Sequence, residues 1–97
     1  MIDHERAVAL ASEHLSAMPA LADGDTLVLL AEHTIERPFG WVFFYSSRLW
    51  VETGDFRYAL GGNAPFIVDR HSGEITLTGT ARPVEEFIAE HEARLRR

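Results

Sequence analysis

Five histidines, His4, His14, His33, His71 and His91, are the side chains of this sequence best suited to bind a metal ion or move a proton near neutral pH. A helical metal site places histidines at spacings such as HxxxH or HExxH, and no such spacing occurs here. The nearest approach is Glu32-His33 with Glu36, which a strand would split between its two faces. Glu32, Glu36, Glu52, Asp55 and Asp69 have the chemistry of a general acid and base pair, but a solvated acidic surface accounts for them without one. Ser46, Ser47 and Ser72 lack the glycine pattern of a nucleophile elbow. The run GGNAP, residues 61 to 65, has neither the Rossmann nor the phosphate-loop spacing, and a strand rather than a helix should follow it. These residues assign no catalytic group, no cofactor site and no metal ligand.

The elements that would carry any site must fit in one small domain, since 97 residues bury a single core. Hydrophobic residues make up 46% of the chain and charged residues 25%, a balance that folds. There is no cysteine, which removes disulfides, thiolate ligands and a thiol nucleophile together. All nine basic residues are arginine, read here as compositional bias. The net charge of -6 disfavours nucleic acid and suits a basic protein partner. No apolar run is long enough to span a membrane, and MIDHERAV has neither the basic start nor the apolar centre of a signal peptide. A cytoplasmic protein is expected.

Ala7, Val8, Ala11, Leu15 and Met18 form one stripe at helical spacing, so a helix is expected from Asp3, its N-cap, to about Met18. Thr26 to about Ile35 reads as a strand with Leu27, Leu29, Ala31, His33 and Ile35 on one side. Arg37-Pro38-Phe39-Gly40 then turns the chain into a second strand, Trp41 to Ser46. That strand is apolar on both sides, with Trp41, Phe43 and Tyr45 opposite Val42 and Phe44, so it should be central. Residues 48 to 64 show no sustained period and are expected to be a covering loop, with a short helical turn near Phe56 to Leu60. Pro65 to Val68 and Glu74 to Thr78 form a second hairpin around Asp69-Arg70-His71-Ser72-Gly73. A last helix runs from Pro83 to about Arg96 on the stripe Val84, Phe87, Ile88, His91 and Leu95, with His91 as a packing residue. The expected fold is α+β: one domain over residues 1–97, an antiparallel sheet of about four strands, and an N-terminal and a C-terminal helix packed together on one face.

Trp41, Phe43, Trp50, Phe56 and Tyr58 can exceed what the core of so small a domain encloses; core packing is the favoured account of them, and an exposed patch is the alternative. An aromatic patch ringed by acidic groups is a form of protein interface, with the acids speeding encounter and the aromatics supplying the binding energy. Trp50, Glu52, Asp55, Phe56 and Tyr58 are therefore the candidate partner-binding residues. A homodimer through the aromatic face would use the same surplus.

From Gly40 to Ile88 the chain resembles the YrhB-like proteins, also called the immunity protein 35 family of bacterial toxin systems. The resemblance is carried by Gly40-Trp41-Val42-Phe43, Glu52-Thr53-Gly54-Asp55, the run Gly62 to Asp69, Ser72-Gly73, Gly79-Thr80-Ala81 and Pro83 to Ile88. It implies a small α+β domain and, for many members, an immunity role against a toxin encoded nearby, and it supplies no catalytic residues; stoichiometric occlusion of a cognate toxin is the leading expectation. A family member has also been regarded as a heat-stable, chaperone-like protein, which makes the holding of unfolded clients the second expectation. A third is an accessory or small-molecule-binding subunit of a biosynthetic complex, with a pocket lined by His33, Glu36 or Asp69.

Overall fold

The computed structural model describes residues 1–18, 21, 24–59, 64–80 and 82–95. Its first helix, α1, is His4–Ser16, and Asp3 caps it by accepting the Arg6 N–H at 2.8 Å. Ala7, Ala11 and Leu15, one helical turn apart, are its buried residues, and the two alanines let the helix lie close against the sheet. Six strands follow: β1 (Leu27–Leu29), β2 (Ile35–Arg37), β3 (Gly40–Phe43), β4 (Tyr45–Ser47), β5 (Phe66–Asp69) and β6 (Ile75–Leu77). Helix α2 is Arg48–Thr53 and α3 is Val84–Leu95. All pairings are antiparallel, in a four-stranded sheet of order β2-β3-β5-β6 and a two-stranded ribbon β1-β4.

The α+β class, the antiparallel sheet and the two terminal helices are as expected, but the helices do not share a face. Trp41, Phe43, Phe66 and Val68 pack with Ala7, Ala11 and Leu15 of α1 in one core. Val42 and Ile67, which point the other way, pack with Phe39 and with Ile88 of α3 in a second. The cause lies in β3 and β5, whose residues alternate between two equally apolar sides. Two helices on one side would have left Val42 and Ile67 in water, at a cost of about 1.5–3 kcal/mol per side chain.

The expected strand from Thr26 to Ile35 is broken. Leu29 pairs with Tyr45 and Ile35 with Val42, so five residues, 30 to 34, stand opposite two, 43 and 44. The excess winds into a 3-10 turn, Ala31–His33, at a bulge where the Leu30 N–H reaches the Phe44 carbonyl at 2.8 Å. Because an excess of three is odd, it reverses the faces: Leu27 and Leu29 pack against the α1 core, and Ile35 against the α3 core. The partner strand is divided at Phe44 into β3 and β4 but keeps its expected alternation, with Tyr45 beside Trp41 and Phe43, and Phe44 beside Val42.

The second hairpin has the expected strands and loop. The Asp69 Oδ1 accepts the N–H groups of His71 at 2.8 Å and Ser72 at 2.9 Å, and Gly73 takes φ +75°. Thus the approach from Pro65 into β5 is the shoulder of a hairpin; Gly61, Gly62 and Asn63 lie outside the described residues. Gly40 is held tightly: at φ +147° its missing Cβ would stand 2.0 Å from the Val68 carbonyl oxygen on β5.

Candidate protein-interaction surface

The segment expected to be a loop without periodicity begins as a helix. α2 has only six residues, too few to display a hydrophobic period, and it is held by its ends. The Ser47 hydroxyl accepts the Trp50 N–H at 3.1 Å, and the Asp25 Oδ1 accepts the Leu49 N–H at 3.0 Å. Ser47 also donates its hydroxyl hydrogen to the second oxygen of Asp25, and the Thr26 N–H bonds to Asp25 at 2.8 Å. Burial, which alone would raise the Asp25 pKa, is outweighed by these hydrogen bonds and the nearby Arg48, so the carboxyl is held below its usual range. Asp25 therefore joins the start of β1, the end of β4 and the first turn of α2 through one carboxylate. At the other end Gly54, in the left-handed conformation at φ +69°, closes the helix by donating to the Trp50 carbonyl at 2.8 Å.

A second 3-10 turn, Phe56–Tyr58, follows at once and is capped by Asp55, which accepts the Arg57 N–H at 2.9 Å. The Arg57 guanidinium grips the same carboxylate at 2.7 and 3.0 Å, and these bonds lower the Asp55 pKa. The chain reversal at Gly54 brings the Trp50 and Phe56 rings to 5.4 Å between centroids. Phe56 is 84% exposed and Val51 53% exposed, which makes this segment the seat of two of the large apolar side chains that face solvent.

All five candidate residues thus fall on one short segment, and Trp50 and Phe56 are in contact. Glu52 and Asp55 are not free acids on a rim: Glu52 pairs with Arg48 at 2.9 Å and Asp55 with Arg57. Tyr58 is half-buried with the Arg57 guanidinium over its ring at 5.4 Å. Trp41 and Phe43, by contrast, are 1% exposed and belong to the core. The sequence reasoning missed Val51 and the supports Asp25, Ser47 and Arg48. Ser47 placed seven residues before Gly54 is a start and stop signal that could have revealed α2.

The residues considered for small-molecule chemistry do not converge. His33 and Glu36 are exposed, and Glu36 is held by Arg70 at 2.8 Å. Asp69 lines a cavity of about 410 Å3 with Phe39, His71, Glu92 and Leu95, away from either. His91 packs its ring 4.7 Å from Phe39, as a packing histidine should, and its buried Nε2 has no hydrogen-bond partner. Among the described residues no group of three or more histidine, aspartate or glutamate side chains could hold a metal ion, and no helix is long and apolar enough to cross a membrane.

Fold and surface define a small α+β domain, an antiparallel sheet between two helices, with a segment that exposes Val51 and Phe56. The chain belongs to the immunity protein 35 family, whose model matches residues 5–90. It is 40% identical over 92 residues to the Escherichia coli strain K12 protein described as uncharacterized protein YrhB, covering 95% of this chain and 90% of that one. No solved structure matches it.

Proposed function

We propose that the chain is a non-catalytic binding protein that neutralises a cognate bacterial toxin by stoichiometric occlusion, through the α2 segment and the 3-10 turn that follows it. The observation that carries this reading is the apolar group formed by exposed Val51 and Phe56 with half-buried Trp50, held by a doubly capped helix and the turn that follows it in a member of an immunity protein family. A preorganised aromatic group loses little entropy on binding and is the usual seat of interface hot spots. Trp50, Phe56 and Tyr58 supply the contact, while Glu52 and Asp55 hold their arginines in place at its rim. The overall charge of -6 speeds approach to a basic toxin.

The test is a pull-down with tagged protein from its native cells at low salt, followed by calorimetry with the purified partner. One near-stoichiometric partner that is toxic alone is the expected result, and Trp50→Ala or Tyr58→Ala should each weaken its binding by about 2 kcal/mol or more. Unchanged affinity in both folded variants would remove this segment from the interface. Recovery of many unrelated proteins would favour the chaperone-like reading instead.

A further inference from the structure

The four-stranded sheet has two edges, and the sequence treats them differently. The β2 edge carries Glu36 and Arg37, is tied by Arg70 to the Glu36 carboxylate at 2.8 Å and to the Arg37 carbonyl at 3.0 Å, and ends at Pro38. Charge and proline are the ordinary protection of an exposed strand against pairing with another chain. The β6 edge has no proline and a single charge, Glu74 at its start, reading Ile75-Thr76-Leu77 and continuing Thr78-Gly79-Thr80. Leu77 on this bare strand is 70% exposed.

The register fixes which backbone groups are unused. The Asp69 N–H bonds to the Glu74 carbonyl at 2.9 Å, and hydrogen-bonded pairs alternate along an antiparallel ladder, so Ile67 and Thr76 form the next such pair. Ile75 and Leu77 therefore direct their N–H and C=O groups away from β5. Among the described residues no other strand pairs with β6, and no further backbone hydrogen bond reaches Ile75 or Leu77.

We propose that this edge pairs with β6 of a second copy of the chain, joining two four-stranded sheets into one. The strand suits itself as partner because threonine stands at its centre with an apolar residue on either side. Centring the two-fold axis on Thr76 lets Ile75 and Leu77 of each copy exchange hydrogen bonds with Leu77 and Ile75 of the other. Leu77 is then covered by the second copy's Ile75, on the side where Ile75 already packs against the α1 core. Glu74 faces a threonine, Thr78 of the second copy, and not a like charge. The pairing uses none of Trp50, Val51 or Phe56, so it stands apart from the toxin-binding reading.

Sedimentation of the full chain over a range of concentrations tests the pairing, together with two variants. The wild type should reach twice the monomer mass, and Leu77→Lys, at an exposed position, should lose the dimer while keeping the wild-type circular dichroism. In the pairing described, the two Thr76 residues form a non-hydrogen-bonded pair with Cα atoms about 4.5 Å apart, within reach of a disulfide. Since the chain contains no cysteine, Thr76→Cys should cross-link under mild oxidation, while Glu52→Cys should not. A wild type that stays monomeric, or a dimer that survives Leu77→Lys and gives no Thr76→Cys cross-link, would overturn the proposal.

Discussion

The Ser47 hydroxyl serves two neighbours at once, donating to the Asp25 carboxylate and accepting the Trp50 N–H at 3.1 Å. A buried serine that is fully engaged in this way couples the β1-β4 ribbon to the helix that presents Trp50 and Val51. Ser47→Ala should cost about 1 kcal/mol for the lost cap and more for the hydrogen bond removed from Asp25. Urea denaturation would measure the loss, and a variant as stable as the wild type would mean that the cap contributes nothing to the fold.

Two phenylalanines should respond oppositely to truncation. Phe43→Ala, in the centre of the α1 core at 1% exposure, should destabilise by about 3–5 kcal/mol. Phe56→Ala, at 84% exposure, should change stability by no more than about 0.5 kcal/mol. Thermal melts of both would check this contrast; a large loss in Phe56→Ala would make that ring a structural residue and weaken its case as a contact.

Gly40→Ala should be among the most damaging substitutions of the chain, because the new Cβ would meet backbone of β5, which cannot swing aside as a side chain can. Its cost should greatly exceed the roughly 1 kcal/mol typical of point substitutions. Gly54→Ala provides the comparison: at φ +69° with open space around it, only left-handed strain is at stake, about 1–2 kcal/mol. Similar melting temperatures for the two variants would show that the close approach is not limiting.

Stability should fall with acid in two stages. Burial first, and Arg94 second, hold the His91 pKa below its ordinary value against the opposing pull of Asp69 and Glu92. Above about pH 6.5 the imidazole is neutral in both states; as pH falls below it the unfolded chain gains a proton that the folded chain resists, so stability declines until the folded pKa is passed. Asp25, Asp55 and Asp69, all shifted downward, add a second decline below about pH 3.9, where the unfolded carboxylates protonate first. Denaturation midpoints across pH in the wild type and His91→Leu would separate the stages: the variant should lose the first and retain the second, and an unaltered first stage would exclude His91 as its source.

Local patterns carried much of this protein. The stripe of Ala7, Ala11 and Leu15 behind an Asp3 cap, the turn from Asp69 to Gly73, and the two-sided strand from Trp41 are readable because each depends on residues only a few positions apart. The same local reading picked out Trp50, Glu52, Asp55, Phe56 and Tyr58 as a group, since they are neighbours in the chain. It could not tell that Glu52 and Asp55 would be engaged by Arg48 and Arg57, or that Trp41 and Phe43 would be enclosed while Phe56 stood in water. Exposure is decided by what arrives from elsewhere in the chain. The tertiary structure alone decided that α1 and α3 take opposite faces, because amphipathicity shows that a helix has an apolar side but not which surface will cover it. It also decided the break between β1 and β2: alternation continued through Ala31 and His33, but the register with β3 and β4 left three residues over, and an odd excess turns Ile35 away from Leu27 and Leu29. The sequence by itself determined the class of the domain and its apolar surfaces. Only the folded chain assigned each surface a partner, because pairing and packing join residues whose separation along the chain leaves no periodic trace.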